Sequence, residues 1–210
     1  MIVYALVSPG PGRVRRRGVA GESLRVVTIG SVSAVVGDVK RVPRPTEDRL
    51  RAYDRLMRAL ATECAAVLPA RFGTVFREPD ELALVMRSRQ QSLRRMLRHV
   101  RNRAQMTIRM AVPSDAGSRR PSGLRTGAVT GTEYLASRAL SVPGSEVLRA
   151  VVRRWVRDER VEQRASVASI YHLIPRSSVN AYRAALDRVA HDAGMRLLVT
   201  GPWPPYAFSY

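Results

Sequence analysis

Cys64, His99, His172 and His191 are the side chains of this sequence that most often do chemistry near neutral pH. A thiolate attacks and an imidazole accepts a proton when the two are held together, usually with a third group that orients the imidazole. The local sequence makes no such arrangement. Cys64 lies on the apolar stripe of a helix, where a thiol is a small, inert core residue. His172 falls inside an apolar strand and His191 near a helix end, and neither has a nucleophile motif beside it. Ser177 and Ser178 read as helix caps. The histidines and the cysteine are too scattered for metal-ligand spacing. No Walker loop occurs, and PGPGRVRRRG at 9–18 does not fit the dinucleotide fingerprint. The sequence gives no support for an enzyme, and neither a cofactor nor a metal is expected.

Arginine is the chemistry the chain has in quantity. The net charge is +19, and all but one of the 36 basic residues are arginine, Lys40 being the exception. Guanidinium pairs bidentately with carboxylate or phosphate. Arg87, Arg94, Arg98 and Arg101 recur at helical spacing beside an apolar stripe, flanked by Arg89, Arg95 and Arg103. No acid falls between Arg87 and Arg103, so i,i+4 pairs cannot neutralise the helix. Three readings stand: a solvated face, a docking face for an acidic protein, or a face for nucleic acid. Nucleic acid is disfavoured, because no recognised motif is present. The aromatic residues, 6 % of the chain, are also not interleaved with the basic runs.

The elements that must position these residues follow from composition and pattern. Apolar residues make up 45 % and charged residues 25 %, the balance of a folded soluble protein rather than a disordered one. No apolar run approaches the roughly 18 residues of a membrane span. The opening MIVYALVSPGPG lacks the basic n-region of a signal peptide, so a cytoplasmic location is expected. A single cysteine excludes an internal disulfide. Residues 113–130, PSDAGSRRPSGLRTGAVT, lack periodicity and read as a linker between domains at 1–112 and 131–210. The first domain holds 22 basic and 9 acidic side chains, so most of the excess charge sits there.

In the first domain Ile2–Val7 reads as a strand, and Leu24–Ile29 with Val32–Val36 as a hairpin turning at Gly30-Ser31. Thr46 reads as an N-cap, with Leu50, Tyr53, Met57, Leu60, Cys64 and Val67 on one helix face that Pro69 stops. Ala70–Phe76 reads as a strand that puts Phe72, Thr74 and Phe76 on one face and Arg71, Gly73 and Val75 on the other. Phe72 and Phe76 are then core residues, Arg71 pairs with a carboxylate, and Gly73 admits another backbone. One long helix from Pro79 carries Leu82, Met86, Leu93, Leu97 and Val100, and Gln105–Val112 closes as a strand. This is an α+β order, with helices expected on one face of the sheet. The second domain reads as helices at Thr132–Ala139 and Ser145–Arg157, a strand at Ser166–Leu173, a helix from Ser178 ended by Gly194, and a strand at Met195–Thr200.

The chain finishes GPWPPYAFSY. Three prolines stiffen this segment and keep it out of the middle of a sheet. Trp203, Tyr206 and Phe208 are presented from a rigid rod, either to pack back on the body or to dock a partner. Packing predicts that Trp203 is partly buried against the second domain, beside the strand that delivers it.

Together, GPWPPYAF and Leu68-Pro69-Ala70-Arg71-Phe72-Gly73-Thr74-Val75-Phe76 resemble the two marked segments of the gas vesicle F/L proteins (GvpF/GvpL). Val3-Tyr4-Ala5-Leu6-Val7 and Glu133-Tyr134-Leu135 fit the same family, so the resemblance spans the chain. It implies two α+β domains, an N-terminal ferredoxin-like sandwich and a smaller C-terminal one. It also implies a non-enzymatic accessory or structural role in gas vesicle assembly, in the cytoplasm or on the vesicle. The implied partners are the small hydrophobic shell protein and other accessory proteins, with no membrane partner. Arg71, Phe72, Gly73, Trp203, Pro204, Pro205 and Tyr206 then become candidate partner-binding or family-motif residues, with Arg87, Arg94, Arg98 and Arg101 added for their charge. The alternative from another class is a basic nucleic-acid-binding protein.

Overall fold

The computed structural model describes residues 1–8, 14–111 and 144–209. The expected linker at 113–130 and the expected helix at 132–139 lie outside them. The described residues form two units, Met1–Gln105 together with Pro202–Tyr210, and Met106–Gly201. Each has mixed helix and strand content, and the chain is a two-domain α+β protein.

The first unit is built on strands β1 (Ile2–Ser8), β2 (Leu24–Ile29), β3 (Val32–Gly37) and β4 (Ala66–Pro69), in the order β2-β3-β1-β4. All three pairings are antiparallel. The hairpin closes at Gly30-Ser31 with Ile29 opposite Val32, and Gly30 takes φ +59°, which glycine adopts without a Cβ clash. The all-antiparallel order β2-β3-β1-β4 is that of a ferredoxin-like sheet, although β1 reaches β2 without a helix among the described residues.

Helix α1 (Glu47–Glu63) starts after Thr46, as expected, but the threonine hydroxyl makes no capping bond. Glu47 and Asp48 in the first turn still complement the helix dipole. Tyr53, Leu56, Met57 and Leu60 are buried, whereas Leu50 is 46 % exposed. The helix stops at Cys64 rather than Pro69, because the β-branched stretch that follows pairs with β1 as β4. The long second helix is two: α2 (Pro79–Ser88) and α3 (Gln90–Val100), broken at Arg89. Leu82, Met86, Leu93, Leu97 and Val100 are nonetheless all buried.

The helices cover both faces of the sheet, not one. β3 is buried along its whole length, as only a strand covered on both sides can be. Val35 joins the α1 cluster with Ile2, Tyr4, Met57 and Leu60. The α3 residues lie outside that cluster, and α3 packs on β1, β3 and β4.

The second sheet has the order β6-β7-β5-β8, from β5 (Arg103–Ala111), β6 (Asp158–Arg164), β7 (Val167–Pro175) and β8 (Leu197–Trp203). Helices α4 (Ser145–Val152) and α5 (Val179–Asp192) belong to this unit. Met106, Ile108, Leu148, Ile170, Tyr182 and Leu186 form its core. Gly194, at φ +59°, follows α5 as a left-handed stop. β6 has no counterpart in the sequence reading, and α4 ends short of Arg157.

Candidate functional site

The segment Leu68–Phe76 is not one strand. β4 ends at Pro69, and residues 71–74 form a tight turn in which Thr74 N–H donates to the Arg71 carbonyl at 3.0 Å. Gly73 sits at φ +80°, the third position of a type II turn, where a side chain is strained. A Cβ there would meet only Val42, at 3.7 Å, so the glycine serves the turn's backbone angle and not a close approach. The turn replaces the expected alternation of faces. Phe72 is half-buried with its ring edge on Tyr53, 5.7 Å between centroids, and Tyr53 stacks on Tyr4 at 6.2 Å. The Tyr53 hydroxyl lies within hydrogen-bond reach of the carbonyls of Ala70 and Tyr4. Arg71 is exposed and has no carboxylate partner among the described residues, contrary to the expected ion pair. Phe76 is half-buried, and its N–H and carbonyl bond the backbone of Met1.

The tail reaches the same place from the other end of the chain. β8 lies at the sheet edge, where Pro202 lacks no ladder donor that the sheet needs. Pro204 and Pro205 are buried, and Tyr206–Phe208 forms a 3-10 turn against β4. Phe208 is buried and Tyr206 packs on the α1 cluster. The Tyr206 hydroxyl donates to Asp54 Oδ1 at 3.0 Å, while Arg58 Nε donates to Asp54 Oδ2 at 2.6 Å. The Arg58 guanidinium lies 4.1 Å over the Trp203 ring, a cation–π contact. Gln105 Oε1 accepts from the Ala207 N–H at 2.8 Å. Burial, reinforced by the Asp54 charge, pushes the Tyr206 phenol well above its ordinary range, so it remains a donor.

The expected assignment of the tail to the second domain is therefore corrected. Its aromatic residues bury their surface on the first unit, and Trp203 contacts α1. Tyr4, Phe72 and Tyr206, one from each of three motif segments, meet in one cluster around Tyr53.

The arginine stripe is divided. Arg87 is on α2, Arg94 and Arg98 are on α3, and Arg101 caps α3. All four are exposed. Arg94, Arg98 and Arg101 line one hollow of about 160 Å³ with Ser8, Ser31 and Leu97, and Arg87 takes no part in it.

The second unit contains the one buried histidine node among the described residues. His172 Nδ1 lies 2.7 Å from the Tyr182 hydroxyl and Nε2 lies 2.7 Å from Glu159 Oε2. Arg149 pairs with Glu159 Oε1 at 2.9 Å. The hydrogen bond from His172 holds the Glu159 carboxyl below its usual range against burial, with help from Arg149. Burial raises the Tyr182 phenol, which stays protonated beside the ring. Both ring nitrogens are occupied, an arrangement that orients β6, β7 and α5. Sequence reasoning missed Glu159 and Arg149, because β6 was not recognised as a strand. His191 is exposed at the end of α5, and Cys64 is buried at the end of α1, as its apolar stripe implied. Among the described residues no group of three or more His, Cys, Asp or Glu is placed to hold a metal ion. No helix among them is long and apolar enough to cross a membrane.

The model of the family described as gas vesicle synthesis protein GvpL/GvpF matches residues 1–142 and 143–210. The sequence is 29 % identical to gas vesicle protein F2 of Halobacterium salinarum over 198 residues, covering 91 % of this chain and 82 % of that one. The fold is similar to the crystal structure of GvpF from Microcystis aeruginosa, with a TM-score of 0.75 at 12 % identity, over 99 % of this chain and 98 % of the other. It is also similar to the crystal structure of GvpF from an Anabaena species, with a TM-score of 0.77 at 16 % identity, over 99 % and 94 % of the two chains.

Proposed function

The chain belongs to the gas vesicle synthesis GvpL/GvpF family, and from that premise we propose that it is a non-enzymatic assembly factor that binds the vesicle shell protein and other accessory proteins. The observation that carries this reading is the family match across both units. The physical logic supports it. A shell subunit exposes apolar surface and strand edges before it is assembled, and these drive aggregation. A helper that covers such surface by groove binding or strand pairing prevents this. A net charge of +19 keeps the loaded helper soluble. Its place of action is the cytoplasm and the growing vesicle.

Deletion of the gene, in a host stripped of every other family copy, tests the role. Loss or deformation of vesicles, restored by the intact gene, is the expected result, and normal vesicle number and shape refute it. Co-purification of shell protein with the tagged full chain tests the binding step separately.

A further inference from the structure

We propose that the hollow between α3 and the β2–β3 hairpin is a receptor for an acidic segment of a partner protein, a step that rests on the assembly reading above. Three arginines, Arg94, Arg98 and Arg101, line it together. Their guanidinium groups have neither a carboxylate nor a hydrogen-bond partner among the described residues. No acid occurs in the sequence between Glu81 and Asp115, so this stretch of chain supplies none. The hydroxyl-bearing residues Ser8 and Ser31 line it as well, and Ala66 and Leu97, only 1 % and 3 % exposed, add apolar lining. Ser31 is held there by the hairpin turn: Gln90, the first residue of α3, occupies the space a Cβ on Gly30 would need.

Charge complementarity identifies the occupant. Arginines form paired hydrogen bonds with a carboxylate, and serine hydroxyls donate to its free lone pairs. A volume of about 160 Å³ accepts the end of a Glu or Asp side chain with an apolar neighbour against Leu97. A nucleic-acid face is a track of phosphate contacts with aromatic platforms, whereas no aromatic residue lines this hollow and its three arginines share one small volume. Electrostatic steering by the flanking Arg87, Arg89 and Arg95 speeds encounter and leaves recognition to the hollow.

The test uses the full chain and a fluorescein-labelled peptide of alternating glutamate and leucine, read by fluorescence anisotropy at low and at physiological salt. Replacing Arg94, Arg98 and Arg101 together with glutamine is expected to weaken binding at least tenfold. Replacing Arg87, Arg89 and Arg95 with glutamine removes the same charge outside the hollow and should change affinity less than threefold. The lysine triple at 94, 98 and 101 keeps the charge, loses the paired geometry, and should still bind several-fold more weakly. Circular dichroism confirms that each variant is folded. Equal weakening by the two glutamine triples, absence of peptide binding, or tighter binding of a single-stranded oligonucleotide of matched charge overturns the proposal. Placed in the host, the 94/98/101 glutamine triple should impair vesicle formation. Normal vesicles with this triple but none in the deletion strain reject the hollow and leave the assembly role standing, whereas normal vesicles in the deletion strain reject the role itself.

Discussion

Tyr206 donates a hydrogen bond to Asp54 at 3.0 Å across 152 residues of sequence. The same carboxylate accepts from Arg58, and Arg58 lies over Trp203. The tail is thus clasped to α1 by one carboxylate and one guanidinium, while Phe208, Pro204 and Pro205 beside it are buried.

Removing the Tyr206 hydroxyl measures the clasp. Tyr206→Phe should cost about 1 kcal/mol, the net value of a hydrogen bond to a half-exposed carboxylate. Asp54→Asn should cost a similar amount, and the double variant less than the sum, because the two share one interaction. Urea unfolding of the four proteins gives the cycle, and strict additivity would show that the bond contributes nothing.

Cutting the chain after Gly201 removes the whole tail. The first unit should lose stability, because its α1 cluster loses Tyr206, the buried Phe208 goes with it, and Gln105 and Asp54 lose these partners. Hydrogen exchange resolved by unit decides the matter: protection should fall in α1 and β4 while β7 and α5 hold theirs. Loss confined to the second unit contradicts the packing described.

Gly73→Ala should destabilise the protein by about 1–2 kcal/mol, the cost of a left-handed conformation for a residue with a Cβ. There is room for the methyl group, so the loss reflects backbone angle alone. Gly73→Asn, which tolerates this region better, should recover part of the loss in thermal melts.

The Glu159 carboxyl is held below its usual range by His172 and Arg149. A depressed carboxyl adds stability above its unfolded value of about 4.3, and that stability disappears as pH falls through the folded value. Glu159→Gln should therefore destabilise the second unit near neutral pH and flatten the decline in stability below about pH 4.3. Melts at a series of pH values test this, and parallel acid limbs for the two proteins would show that the node is not the acid-sensitive element.

Local signals predicted local structure well and long-range partners poorly. The hairpin at Gly30-Ser31 was legible because β-branched runs on both sides demand a two-residue turn. The apolar stripe from Leu82 to Val100 was legible too, although the break at Arg89 was not, since neither glycine nor proline marks it. Phe72, Thr74 and Phe76 imitate strand alternation, and only the positive φ of Gly73 separates a turn from a strand there. β6, with the sequence DERVEQR, has no apolar face to announce it, and with it Glu159 was overlooked. The destination of the tail depends on Asp54 and Arg58, which as an i,i+4 pair look like ordinary helix-surface charges.

The first unit consists of residues 1–105 joined by residues 202–210, and the second unit is inserted between them. On the ribosome this order has a consequence. The α1 cluster and β4 emerge early but stay incomplete until the second unit has been made and the tail follows it out of the exit tunnel. Until residues 202–210 arrive, the surface that Tyr206 covers on the α1 cluster stays open. Closure of the first unit therefore waits for residues 202–210, however early its own strands and helices form.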